Sequence, residues 1–340
     1  MKRKFWLTMG LLLAASVLTA ADKPFEVKQV ADGVYAVIAQ GAFYGRCNSA
    51  IVMLDDGVLV VDSDLLPSQA RELIAELKKM TSKPVKYLLN THPHGDHFQG
   101  NQAYLEAFPN AEIIASTAIR RDLENRGLPR AQAEVVAASL MLEKLKADLA
   151  AAPESRKQEL RERLRQAEAN LAELRAMHPP LPTLTFDREL TLHEKSRSVE
   201  FICVGPAHSA SDVVAYLPKE KVIITGDLLH GWTPYMGDSS PYDWIRALDQ
   251  VEKLDFDIII GGHGDVFHGK DQFELWKQYL RDLMSETTQA WVQEATLEEV
   301  KKRVAAALQA KYTGKFPDTF PLDVQANIAK AYRFVSGVQD

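Results

Sequence analysis

The chain has 340 residues, with 40 basic against 46 acidic side chains and a formal net charge of −6. That balance argues against a partner bound by phosphate neutralisation, so no nucleic acid is expected. Two cysteines, Cys47 and Cys203, exclude a disulfide framework, and whether they bond to each other is left open by their spacing.

The first element in chain order is a leader. Lys2, Arg3 and Lys4 precede an apolar run from Leu11 to Leu18 and the small residues Thr19, Ala20 and Ala21. This is the layout of a secretory signal peptide over residues 1–21. The run falls short of the roughly 20 apolar residues of a spanning helix. The expectation is therefore cleavage, no stable membrane anchor, and a periplasmic or secreted protein.

From Phe25 to Ser63 the pattern is that of strands. Gly33 to Ala39 alternates, Asn48 to Leu54 and Gly57 to Asp62 are apolar, and Asp55-Asp56-Gly57 between them predicts a hairpin. Pro67 opens a helix with Ala70, Leu73, Ile74 and Leu77 on one face. A strand from Val85 to Asn90, a histidine cluster, a short helix and a strand from Glu112 to Ala115 follow.

Between Ala131 and Met177 the composition changes to Ala, Leu, Glu, Arg and Lys. Val135, Ala138, Leu142, Leu145 and Leu149 are spaced three and four apart, as are Leu160, Leu164, Ala167, Leu171 and Leu174. Ala152-Pro153-Glu154-Ser155 divides the two series. Residues 131–177 thus read as an antiparallel helical hairpin, ended by the prolines after His178. Its two seams bury each other, so it is expected to protrude and either to cover a substrate groove or to meet a second copy. Ala131, Val135 and Met141 extend the apolar surface and favour a homodimer through the hairpin.

Strand patterns return at Val199 to Val204, Asp212 to Leu217 and Lys221 to Thr225. A helix from about Tyr242 to Leu254 and a strand from Phe256 to Ile260 come next. A helical tail from Asp271 is interrupted at Phe316-Pro317 and Phe320-Pro321. The order predicts a layered α+β or α/β domain over residues 22–285, interrupted by the hairpin, and a helical C-terminal extension over 286–340.

Four groups of His and Asp each follow an apolar strand. His92-Pro93-His94-Gly95-Asp96-His97 follows Val85 to Thr91; His208, Asp227 and His263 follow the later strands. If the strands run in one sense, all four loops gather at one rim. Imidazole with carboxylate suits zinc, although iron or manganese also accept such donors. Four polar residues of ligand type in six positions, with Gly95 allowing a tight turn, do not make a packed core face. His178, His193 and His268 stand outside any motif and read as structural or exposed, and Cys203 reads as core.

The string His92 to His97 resembles the signature of the metallo-β-lactamase superfamily. Gly205-Pro206-Ala207-His208-Ser209, Gly226-Asp227 and Gly261-Gly262-His263-Gly264 resemble its later metal motifs. The resemblance implies a four-layer αββα sandwich and two zinc ions per chain. It implies one zinc on His92, His94 and His208, a second on Asp96, His97 and His263, Asp227 bridging, and a water or hydroxide between the metals. Asp96 is then the catalytic residue that orients the nucleophile as well as binding metal. Asp227 stands where the largest lactamase group has cysteine, as in glyoxalase-II-like members, and His230 stands where those lactamases carry a lysine. Tyr235 falls at their asparagine. His230 and Tyr235 are the candidate substrate contacts. The leading expectation is a hydrolase that cleaves an acyl bond in a small molecule: a β-lactam, a lactone or ester, or a thioester. The alternatives are a phosphodiester hydrolase on the same metals and a non-catalytic binding or assembly module with a structural metal site.

Overall fold

Alternation along the apolar strands divides their side chains between a central core and two outer ones. In β2 (Val34–Ala39), β3 (Ser49–Met53) and β4 (Val58–Val61), residues Val34, Ala36, Ala50, Val52, Leu59 and Val61 face inward, while Val37, Ile51, Val58 and Val60 face outward. Strands buried on both faces have no polar side, which is why these segments read as continuous apolar runs. The computed structural model describes residues 24–40, 46–316 and 320–337, so the expected leader lies outside the described residues.

One sheet holds seven strands in the order β1 to β7, adding β1 (Phe25–Ala31), β5 (Val85–Leu89), β6 (Glu112–Ser116) and β7 (Leu184–Phe186). The other holds six in the order β13-β12-β11-β10-β9-β8. These are β8 (Glu189–His193), β9 (Ser198–Gly205), β10 (Asp212–Leu217), β11 (Val222–Gly226), β12 (Ile258–Gly261) and β13 (Phe267–His268). The inner faces pack on each other. Outside the first sheet, α1 (Pro67–Met80) and α3 (Asn101–Ala107) bury Leu73, Ile74, Leu77 and Tyr104. Outside the second lie α7 (Pro241–Val251), α8 (Asp271–Val292), α9 (Leu297–Tyr312) and α10 (Phe320–Ser336). The result is the αββα sandwich.

The helical tail shares its core with the second sheet. Trp276, Tyr279, Val304, Tyr312, Phe320 and Ile328 are buried in one cluster with Trp244 and Ile223. The expected boundary at residue 285 falls inside α8, and Pro321 lies in the first turn of α10 rather than breaking it, as its fixed φ and missing N–H permit. β7 and β8 are additions to the sequence reading. They are three and five residues long, and their alternation, Leu184-Thr185-Phe186 and Leu190-Thr191-Leu192, is too short to stand out.

The insertion is two helices, α5 (Leu128–Ala151) and α6 (Glu154–Ala176), with Leu142, Leu145, Leu160 and Leu171 buried along their seam. The surface left over differs from expectation. Ala131 is buried and Val135 and Met141 are half-buried, whereas Val136 and Leu140 are 60% and 61% exposed. At 100° per residue, Val136 and Leu140 fall on the side of α5 away from the seam. Cys47 and Cys203 are free thiols. Among the described residues, no helix is long and apolar enough to cross a membrane.

Candidate metal centre

Strand direction places the chemistry. β4 and β5 are parallel, and β9, β11 and β12 share one sense because β10 pairs antiparallel with both β9 and β11. Their carboxyl ends meet at one rim, where β4 delivers Asp62, β5 His92, β9 His208, β11 Asp227 and β12 His263. The short helix α2 (Gly95–Phe98) carries Asp96 and His97. Glycine is required beneath: a Cβ on Gly262 would come within 2.0 Å of Asp227 Oδ1. Asn48 ties the His263 loop to the opposite sheet, donating from Nδ2 to the carbonyls of Gly261 (2.9 Å) and Gly264 (2.8 Å).

Two donor groups result. His92, His94, His208 and Asp227 form one, and Asp96, His97 and His263 the other, with the donor atoms of each within 4.8 Å of one another. In the first, His94 presents Nδ1, 2.9 Å from His208 Nε2. In the second, Asp96 Oδ2 lies 3.2 Å from His263 Nε2 and 3.5 Å from His97 Nε2. Asp227 stands between them. Its Oδ2 is 3.5 Å from His208 Nε2 and 3.9 Å from His92 Nε2, while its Oδ1 is 3.4 Å from both His97 Nε2 and His263 Nε2.

The donors fit divalent metal. His92 Nε2, His97 Nε2 and Asp227 Oδ1 are buried without a hydrogen-bond partner, and buried polar atoms are otherwise almost always paired. Nitrogen and carboxylate oxygen are the donors zinc accepts in open sites. Sulfur is not part of the set: burial pushes the Cys47 thiol up to about 12, although His97 beside it pulls the other way.

Protonation differs between the two groups. Burial, followed by the neighbouring histidines, holds His92 well below its ordinary value, and burial lowers His208 to about 3 against the pull of Asp227. In the second group burial is overruled. Asp96 leads in raising His97 well above its usual range, and Asp227 and Asp96 raise His263 to about 9. The same pairings hold both carboxylates well below the usual range, although burial alone would raise them. At pH 7 His92 and His208 are therefore ready for metal, whereas His97 and His263 must lose protons to bind it. Metal entering the second group is expected to release at least one proton, and its affinity to rise with pH through the titration of His263 at about 9. Calorimetric titrations in buffers of different ionisation enthalpy read this directly. Equal proton release at both steps would refute the assignment.

Second contacts hold the ligands in place, and the sequence reading missed them. Buried Asp62 accepts from Thr91 N (2.8 Å) and Thr91 Oγ1 (2.7 Å), and its Oδ2 lies 2.7 Å from His97 Nδ1. Thr91 Oγ1 is also 3.1 Å from His92 Nδ1. On the other side, Asp238 Oδ2 lies 3.0 Å from His94 Nε2. Such partners fix ring orientation and tautomer in metal-binding histidines. The available signal was an acid at the rim end of a strand for Asp62, but its partners stand 29 and 35 residues away. Among the described residues, His208 and His263 have no partner at Nδ1. Indole rings cover them instead: Trp244 meets His208 edge-on at 5.3 Å, and Trp232 stacks on His263 at 4.4 Å.

The two candidate substrate contacts separate. His230 is 2% exposed, its Nδ1 accepts from Trp232 N at 3.1 Å, and its ring meets Trp276 at 4.5 Å. It lies inside the protein behind Trp232, which removes it from the substrate space expected for it. Tyr235 is 43% exposed, with its ring 6.3 Å from His94 and 6.1 Å from His208. His178, His193 and His268 lie exposed at the surface, away from the centre.

Comparison with known proteins agrees with this arrangement. The family model described as the metallo-beta-lactamase superfamily matches residues 43–263. A linear primary-alkylsulfatase from Pseudomonas sp. is 26% identical over 239 residues, which are 68% of this chain and 44% of that protein. The chain thus spans less than half the length of that relative. A metallo-beta-lactamase type 2 from Elizabethkingia meningoseptica is 21% identical over 300 residues, 85% of this chain and 96% of its own. Among solved structures, a metallo-beta-lactamase from Pontibacter korlensis superposes with a TM-score of 0.55 at 16% identity, over 76% of this chain and 99% of that one. FIM-1 from Pseudomonas aeruginosa gives 0.52 at 19% identity, over 76% and 96%.

Proposed function

Since the chain belongs to the metallo-β-lactamase superfamily, we propose that it is a dinuclear zinc hydrolase that opens an acyl bond in a β-lactam, a lactone or ester, or a thioester. One observation carries this reading: Asp227 turns one carboxylate oxygen to each of two adjacent donor groups. Two zinc ions held there would supply a water-derived nucleophile at neutral pH and a Lewis acid for the scissile oxygen.

The protein's own groups supply orientation. Asp96, ionised between His97 and His263, accepts a proton or hydrogen bond from the attacking water. Tyr235, whose ring stands beside His94 and His208, is the candidate to donate to charge developing on the substrate oxygen. Trp232 gives the far side an apolar wall. A purely structural metal role fits less well, because the side chains of His94 and Asp96 keep 16% and 22% exposure. Structural zinc sites are usually closed by four protein ligands.

Similarity to the alkylsulfatase favours a second reading, hydrolysis of a linear primary alkyl sulfate by the same residues. A phosphodiester is the third, since paired metals suit an in-line displacement equally. Zinc-loaded protein should be assayed against nitrocefin, an acyl lactone, a glutathione thioester, dodecyl sulfate and bis(4-nitrophenyl) phosphate, with metal content measured in parallel. Two zinc ions per chain are expected, with turnover of at least one acyl substrate that a chelator abolishes and zinc restores. Turnover of the sulfate or the phosphodiester alone would replace the acyl reading. A fully loaded protein with one zinc ion would end the dinuclear one.

A further inference from the structure

The inserted hairpin reaches the metal centre through its first two turns. Arg130, in the first turn of α5, grips Asp238 with both prongs: Nη1 donates to Oδ2 at 2.6 Å and Nη2 to Oδ1 at 2.7 Å. The same Oδ2 meets His94 Nε2. One turn further on, Glu134 Oε2 accepts from Gln99 Nε2 at 3.0 Å, and Gln99 caps the helix that carries Asp96 and His97. The root of α5 is fixed as well. Residues Leu123–Gly127 form a π-helical turn, and a Cβ on Gly127 would lie 3.6 Å from Pro93 O and 3.5 Å from Phe98 Cζ. The backbone before α5 therefore packs directly against the segment that bears His92 to His97. π-Turns within helices are rare and shift the face that the following residues present.

Building on the metal-hydrolase reading, we propose that Arg130 is a positioning residue for the metal held by His92, His94 and His208, acting through Asp238 to orient the His94 ring. Asp238 alone is a side chain on a loop with two degrees of freedom. A forked guanidinium holds both of its oxygens at once, in a geometry a lysine does not reproduce. The His94 Nε2–H then donates to a fixed acceptor, leaving Nδ1 aimed at His208 and the first metal. The insertion is in this sense part of the centre, although it contributes no ligand. The same clamp holds the loop that presents Tyr235, whose hydroxyl lies over Gly237, next to Asp238.

The test is stepwise zinc affinity by chelator competition in the full chain, with the His94 imidazole N–H signal followed by NMR of the zinc-loaded protein. Arg130→Ala and Asp238→Asn should each weaken the first group by about 10- to 100-fold, leave the second group near its parental constant, and broaden or abolish the His94 signal. Arg130→Lys should fall between. Arg165→Ala, which removes an exposed charge elsewhere on the hairpin, should match the parent. Parental first-group affinity in Arg130→Ala would overturn the proposal, as would equal losses at both groups. A parent chain that binds no zinc would overturn the metal-hydrolase reading with it, which separates the two failures.

Discussion

Asp227→Ala is expected to remove both metals and abolish hydrolysis, the largest effect of any single substitution in this chain. The other six donors each serve one group, whereas Asp227 faces His92 and His208 with one oxygen and His97 and His263 with the other. Its loss thins both coordination sets. It also removes one of the three carboxylates that balance His97 and one of the two that balance His263. Loss of a group that only orients a metal ligand weakens binding by about 10- to 100-fold, and loss of a donor common to both sets should exceed that at each. Asp227→Cys keeps one donor atom and should retain one metal more tightly than the other. Metal analysis after dialysis, with turnover of the best panel substrate, decides the matter. If Asp227→Ala keeps two zinc ions per chain and the parental rate, the placement of that loop is refuted.

Asp62 gives the second large effect, and one that divides stability from metal binding. The carboxylate takes hydrogen bonds from Thr91 N and Oγ1 and holds His97 Nδ1. Asp62→Ala strands these groups in the interior, at about 1–3 kcal/mol for each unpaired donor. It also puts alanine at a backbone φ of 61°, which asparagine and aspartate tolerate better than other side chains. A loss of roughly 3 kcal/mol or more in denaturant unfolding of the metal-free protein is expected. Asp62→Asn preserves volume and backbone tolerance and can still accept from Thr91 N, but it turns an N–H toward His97. It should fold and bind the second metal about 10- to 100-fold more weakly. Parental second-site affinity in Asp62→Asn would show that the His97 contact does not orient the ligand.

The seven residues that the two donor groups bring together were legible in the sequence because each group of His and Asp follows an apolar strand. The sequence left strand sense as a condition, and the pairing of the strands meets it, bringing the loops to one rim. Those loops need only local information. The residues that steer them do not. Asp62 reaches His97 across 35 residues, Arg130 reaches Asp238 across 108, and Asp238 reaches His94 across 144. No spacing rule connects such positions. His230 was misplaced for a related reason. Proximity to Asp227 in sequence suggested a shared face, but after Asp227 the chain turns inward, with Leu228 and Leu229 fully buried, and carries the imidazole against Trp276. The hairpin seams were visible from periodicity, while its free surface was not. α5 carries apolar residues outside its seam as well as on it, and the packing of α6 leaves Val136 and Leu140 outside.

The rim that collects the donors is also the seam between the two sheets. His92 and His97 come from the first, and His208, Asp227 and His263 from the second. No hairpin or single sheet assembles either donor group with Asp227, so a nascent or partly folded chain presents only fragments of the centre. Metal can therefore stabilise the protein only once the halves have docked, late in folding, when most of the apolar surface is already buried. A bound ion of this kind acts on the rate of unfolding far more than on the rate of folding. Such an ion would join the two sheets across the mouth of the sandwich, so its loading is expected to slow unfolding of the chain.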